Sequence, residues 1–135
     1  ADLLFGGNGD DTLFGGTDLE RDRMEGGAGK DTFVVSLWQF VSETLEDGTV
    51  IDQFLPLAFG RDRIVDFTPG EDIVEFETIP TDRLSADFSH LMIADGAYAG
   101  GLTGAVIDFG SLGALFLQGV AAADLDAADF RFTYV

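Results

Sequence analysis

The chain has 135 residues, 46% of them apolar, no cysteine, and 25 Asp+Glu against seven Lys+Arg, for a formal net charge of −18. That is enough chain for one core and too apolar for ordinary disorder, and it excludes a disulfide scaffold, a thiolate zinc site and a cysteine nucleophile. Charge of this sign repels nucleic acid phosphates and anionic membrane surfaces and suits hard cations, which take oxygen ligands; no apolar run reaches the roughly 18 residues of a membrane span.

The N-terminal third is a repeat. Residues 6–14 read GGNGDDTLF and residues 26–34 read GGAGKDTFV. Between them, residues 15–25 read GGTDLERDRME, the same unit with two extra residues and one glycine fewer, and ADLLF at the start is the tail of a further unit. The aspartates Asp2, Asp11, Asp22 and Asp31 recur at spacings of 9, 11 and 9, each followed two residues later by a large apolar side chain, Leu4, Leu13, Met24 or Phe33. Paired glycines accept positive φ and turn tightly, and the three residues after each aspartate are extended with one side chain inward. Two such half-turns make one coil of a flattened parallel roll. Turns on one side stack, so a cation can sit between alternate units, and about six oxygens at about 2.3–2.6 Å suit Ca²⁺. A flexible linker would not keep an apolar residue in register with an aspartate.

Beyond the repeat, apolar residues Leu37, Phe40, Val41 and Leu45 have helical spacing, with Ser36 as a possible N-cap and Gly48 as a stop, so residues 36–47 are expected to be a helix flanking the roll. Residues 61–76, RDRIVDFTPGEDIVEF, read as two short strands in a hairpin about Thr68-Pro69-Gly70, crowded by Asp62, Asp66, Glu71 and Asp72. Residues 105–109 and 114–118 are expected to pair across a glycine-bounded turn, residues 121–129 to form a short turn or helix, and residues 130–135 to form a last alternating strand.

Residues 6–11 and 26–31 match every fixed position of the nonapeptide G-G-x-G-x-D-x-U-x and so resemble the RTX calcium-binding repeat. The later stretches RDRIVDFTPGEDIVEF, AVIDFG and LQGVAAADLDAADFRF are similar to the C-terminal end of RTX proteins of the serralysin type. The resemblance implies an all-β fold, a short parallel β-roll continuing into an antiparallel, sandwich-like C-terminal cap with one or two short helices. Residues 1–34 would be the roll and residues 35–135 the capping and secretion-signal region of the same structural domain. It implies one Ca²⁺ shared by the two matching units, with carboxylates from Asp11 and Asp31 and carbonyls from Gly6, Asn8, Gly9, Gly26, Ala28 and Gly29. On the other side of the roll Asp2 and Asp22 occupy the carboxylate position, and Asp62 is either the ligand that closes the last site or part of a solvated acidic edge. The turn ending at Asp22 has gained Asp18, Glu20 and Arg21, which leaves open whether it binds a cation.

The resemblance also implies a secreted, extracellular bacterial protein, recognised by type I secretion machinery through its uncleaved C-terminus, where an acid is followed by FRFTYV. The start, ADLLFGG, has neither the basic nor the apolar region of a signal peptide and lies inside a repeat, which suggests a fragment of something longer. Residues 1–34 hold eight acids and three bases, so stacked turns without a cation repel one another, and glycine-rich backbone is costly to order. Calcium at about 100 times its Kd would add roughly 2.7 kcal/mol to folding, and extracellular sites often bind at about 10⁻⁴–10⁻³ M. The chain would then stay unfolded in the cytosol and fold outside.

An enzyme is the opposing reading. His90 is the single histidine, without a second zinc ligand, and Ser36, Ser42, Ser85, Ser89 and Ser111 lie in no nucleophile elbow, so no catalytic residue is assigned. A third reading is a polysaccharide- or surface-binding module appended to an extracellular enzyme or adhesin. An anionic glycan would need a basic patch, and Arg21, Arg23, Lys30, Arg61, Arg63 and Arg83 are scattered in sequence. Trp38 is a candidate exposed contact.

Overall fold

A computed structural model describes residues 2–15, 21–36, 38–56, 60–78, 92–98, 101–108 and 113–134. Short strands separated by glycine turns lie alternately in two sheets. Strands β1 (Leu3–Phe5), β3 (Arg23–Glu25), β7 (Gly60–Ile64) and β11 (Gly113–Gln118) run parallel in the first sheet. Strands β2 (Thr12–Phe14), β4 (Thr32–Ser36), β8 (Ile73–Thr78) and β12 (Phe130–Tyr134) run parallel in the second. The first sheet continues antiparallel from β11 through β10 (Leu102–Asp108) to β9 (Met92–Tyr98), giving the order β1-β3-β7-β11-β10-β9 against β12-β8-β4-β2. This is the all-β, β-roll architecture expected from the repeat.

The three-residue strands form because only their central side chain has to be buried. Leu13, Met24, Phe33, Ile64 and Val74 all face inward, and Met24, Phe33, Ile64 and Val74 are fully buried. Phe67 closes on Phe33 with ring centroids 6.2 Å apart, and Phe130 on Phe76 at 6.1 Å. Each such side chain stabilises the fold by about 1.5–3 kcal/mol, so the core and not strand length holds the coils together.

Two sequence expectations are overturned. Within the segment expected as a helix over residues 36–47, Ser36 ends β4 instead of capping a helix, and Trp38–Thr44 is strand β5, paired antiparallel with β6 (Val50–Pro56) in a separate two-stranded sheet. Gly48, with φ 87°, makes the hairpin turn rather than stopping a helix, and the Thr49 N–H is held by Asp47 Oδ1 at 2.9 Å. A short apolar run satisfies either period, and the cross-strand ladder from Trp38–Pro56 to Thr44–Val50 decides it. Nor do the strands at residues 61–76 pair with each other. β7 pairs with β3 and β8 with β4, so residues 65–72 are a turn of the roll. That turn has one residue more than its predecessor, eight (65–72) against seven (25–31) between strands in register.

The pairing of β10 with β11 and the strand at residues 130–134 are found as expected, although β12 pairs parallel with β8. Between β11 and β12 lie two 3₁₀ turns, Ala122–Asp124 and Ala127–Asp129, the second closed by a reciprocal cap between Asp126 and Asp129. His90, Arg83, Ser85, Ser89 and Ser111, together with Asp18 and Glu20, lie outside the described residues, and of Trp38 only the backbone is described.

Candidate metal centre

The repeat aspartates form two ladders, one along each side of the roll. On one side the Asp11 N–H donates to Asp31 Oδ1 at 3.0 Å, and the Asp31 N–H donates to Asp72 Oδ1 at 3.0 Å. On the other the Asp2 N–H donates to Asp22 Oδ1 at 2.7 Å, and the Asp22 N–H donates to Asp62 Oδ1 at 3.1 Å. One carboxylate oxygen of each acceptor therefore locks its coil to the coil before it. The second oxygen is left to the turn.

In the two turns that match the repeat unit in full, that second oxygen has no partner. Asp11 Oδ2 and Asp31 Oδ2 are buried and unbonded among the described residues, and Asp31 is 1% exposed. Each folds back over the first glycine of its own turn. A Cβ on Gly6 would lie 2.7 Å from Asp11 Oδ2, and one on Gly26 would collide with Asp31 Oδ2, so only glycine leaves the carboxylate this position. The two turns stack in register, with Asn8 bridged to Ala28, the Gly9 N–H on the Ala28 carbonyl at 2.8 Å and the Ala28 N–H on the Gly7 carbonyl at 3.0 Å. Gly27, at φ 89°, presses against the Gly7 carbonyl where any side chain would collide.

A buried carboxyl oxygen without a partner is costly, and native folds supply nearly every such atom with one. Two of them in stacked turns rich in carbonyls fit a hard divalent cation. No group of three acidic or histidine side chains capable of holding a metal occurs among the described residues. The donor set that fits is instead one carboxylate per turn with backbone carbonyls, which is what Gly6, Asn8, Gly9, Gly26, Ala28 and Gly29 can offer. The Ala28 carbonyl keeps one lone pair after accepting from Gly9.

The third turn on this side satisfies its acids by itself. Asp72 Oδ2 accepts the Thr68 N–H at 2.8 Å, and Asp129 takes the Gly70 N–H at 2.7 Å and the Asp126 N–H at 2.9 Å. Asp66 replaces the first glycine of the turn, and its carboxylate accepts the Gly26 and Gly27 N–H groups at 2.9 and 2.8 Å. Burial pushes the Asp72 carboxyl above the ordinary carboxylate range despite those amides, and Asp31 and Asp66 nearby add to the rise. Asp72, Asp66 and Asp129 were not singled out as site residues from the sequence. The Asp72-x-Val74 spacing repeats Asp31-x-Phe33 and is the signal that finds the first of them.

On the opposite side Asp2 is exposed, whereas Asp22 and Asp62 are 2% and 3% exposed. A Cβ on Gly15 would lie 3.4 Å from both Asp22 Oδ2 and Asp62 Oδ2, so these carboxylates converge on that turn. The rest of the turn, residues 16–20, falls outside the described residues.

Residues 1–18 and 19–35 match the family described as RTX calcium-binding nonapeptide repeat (4 copies). No curated protein matches the chain. The fold is similar to the solution structure of the AlgE6R3 subunit from the Azotobacter vinelandii mannuronan C5-epimerase. Identity is 29% and the TM-score 0.53, with 96% of this chain and 67% of that one covered. Residues 1–35 are thus calcium-binding repeats of the RTX type within a β-roll, and the cofactor of such repeats is Ca²⁺.

Proposed function

We propose that this chain is a non-catalytic, calcium-dependent folding module of a secreted extracellular protein. Residues 1–34 carry its calcium-binding repeats, and residues 35–135, which continue the roll through β7, β8, β11 and β12, are its capping and export region, in the serralysin-type arrangement. The observation that carries the reading is the pair of buried, unpartnered oxygens, Asp11 Oδ2 and Asp31 Oδ2, in the two turns that keep the whole repeat unit. A Ca²⁺ between those turns supplies +2 where two carboxylates otherwise repel. Asp11 and Asp31 hold it with carbonyls of residues 6, 8, 9, 26, 28 and 29. Asp2, Asp22 and Asp62 are the carboxylate ligands of the opposite side.

Export through type I machinery follows from mass action. At cytosolic calcium the roll stays unfolded, so the C-terminal segment is readable as extended chain; folded, one edge of β12 is hydrogen-bonded along β8. Far-UV circular dichroism in EDTA, then across a calcium titration with magnesium as control, tests the reading. A cooperative, calcium-selective gain of β signal is expected, and full structure in EDTA would overturn calcium-driven folding.

A second reading, a polysaccharide-binding module, is supported by the likeness to a subunit of an epimerase named for mannuronan, a uronate polymer. It is compatible with the first, because a module folded by calcium can present a binding face.

A further inference from the structure

The tetrapeptide R-D-R-apolar occurs twice, as Arg21-Asp22-Arg23-Met24 and Arg61-Asp62-Arg63-Ile64. Forty residues separate the copies, yet β3 and β7 are hydrogen-bonded neighbours with Arg23 opposite Arg63 and Met24 opposite Ile64. In both copies the aspartate and the apolar residue face inward, as Asp22, Met24, Asp62 and Ile64 are all buried. Alternation therefore turns Arg23, Arg61 and Arg63 to the outer face of the first sheet, and Arg21 lies two residues before Arg23, at the start of β3. Arg21 and Arg61 are exposed, and Arg23 keeps 42% of its side chain exposed. Four of the seven basic residues of a chain with net charge −18 thus share one surface.

This surface is uncommitted and ordered. Among the described residues Arg21, Arg61 and Arg63 form no ion pair, and Arg23 reaches only Glu25, at 3.8 Å. The Arg63 guanidinium lies over the Tyr98 ring, 5.3 Å from its centroid, and that ring stacks on Phe116 at 5.0 Å and directs its hydroxyl to the Arg61 carbonyl at 3.4 Å. Cation–π contact restricts the side chain before any ligand arrives. Rows of arginine stand about 4.8 Å apart across the strands and about 6.8 Å apart along them.

We propose that the outer face of β3 and β7 binds a linear carboxylated polysaccharide, with Arg21, Arg23, Arg61 and Arg63 pairing with successive carboxylates and Tyr98 positioning Arg63. The proposal deepens the polysaccharide-binding reading above and rests on it. Planar guanidinium groups match carboxylates in bidentate pairs. A polymer with one charge per sugar meets four arginines without bringing dense charge against the rest of the chain, which carries 25 acids. Duplex DNA brings about one charge per 1.7 Å and is repelled more strongly. The face exists only when the coils are in register, because the Asp22 N–H on Asp62 Oδ1 and the Arg63 N–H on the Asp22 carbonyl, at 3.1 and 2.8 Å, align the two copies. Binding therefore requires the calcium-folded roll.

The test is isothermal titration of the full chain with short mannuronate oligomers at fixed free calcium, with neutral glucan oligomers and a single-stranded DNA oligonucleotide as comparisons. Arg61→Gln with Arg63→Gln is expected to weaken mannuronate binding about tenfold or more, as loss of two charge-assisted contacts requires. The calcium midpoint of folding should not move, and Arg131→Gln, on the other sheet, should bind as the unaltered chain does. Full binding by the double variant, with calcium bridging acids to polymer, would overturn this site and leave the broader reading intact. Absence of mannuronate binding by the unaltered chain would overturn both. Equal affinity for the oligonucleotide, lost in the same variant, would overturn the carboxylate assignment.

Discussion

Asp31→Asn separates the two roles of this carboxylate. Asparagine keeps Oδ1 as an acceptor for the Asp11 N–H, which the native side chain holds at 3.0 Å, and replaces Oδ2, the oxygen left for the cation. The ladder then survives while the site loses a charge. With calcium at about 100 times its Kd the native chain gains roughly 2.7 kcal/mol from one ion, and the variant should lose most of that. The decisive quantity is the slope. Each ion taken up on folding adds about 1.4 kcal/mol of stability per tenfold rise in free calcium. Urea unfolding at a series of calcium concentrations should show a slope for Asp31→Asn that is lower by one ion. Asp31→Ala should show the same lower slope and a further loss of about 1–3 kcal/mol at every calcium level, because the Asp11 N–H is then left without its acceptor. A parallel line for Asp31→Asn, displaced without change of slope, would refute the argument, since it would mean that the buried oxygen only packs.

Asp11→Ala with Asp31→Ala should raise the calcium needed for folding steeply, read as the circular dichroism midpoint; an unchanged midpoint would remove these turns from the mechanism. Gly26→Ala pushes a methyl into Asp31 Oδ2 and should both destabilise the roll, by about 1–3 kcal/mol, and weaken calcium, whereas Gly48→Ala strains only the exposed hairpin turn and should leave the calcium slope intact. Because burial raises the Asp72 carboxyl, the native chain keeps that proton in a window just above the ordinary carboxylate range, where the unfolded chain has lost it. Its contribution is therefore present below the window and declines as pH rises through it, and Asp72→Asn should flatten that segment of the stability–pH curve when both chains are compared at the same saturating calcium.

The roll was legible in the sequence because its determinants are local. A glycine pair, an aspartate and one inward apolar residue act within nine positions, and Asp11, Asp31 and their turns follow from that spacing alone. Calcium follows as well, from carboxylates facing carbonyls in a chain without cysteine. What lay beyond reading was settled by neighbours distant in the chain. Residues 36–47 have helical spacing, but pairing with β6 makes residues 38–44 a strand. β7 and β8 look like a hairpin until β3 and β4 offer parallel partners already in place. Asp66 serves the Gly26 and Gly27 amides, forty residues away, and so has no local signature. The arginines scattered at 21, 23, 61 and 63 become one surface for the same reason. By itself, the sequence determined the repeating unit, its inward side chains and its cation, since these depend on φ angles and spacing within single turns. Tertiary structure alone decided which coils stack and which carboxylate oxygens stay unpaired, because hydrogen-bond register joins segments that the intervening hairpin keeps far apart along the chain.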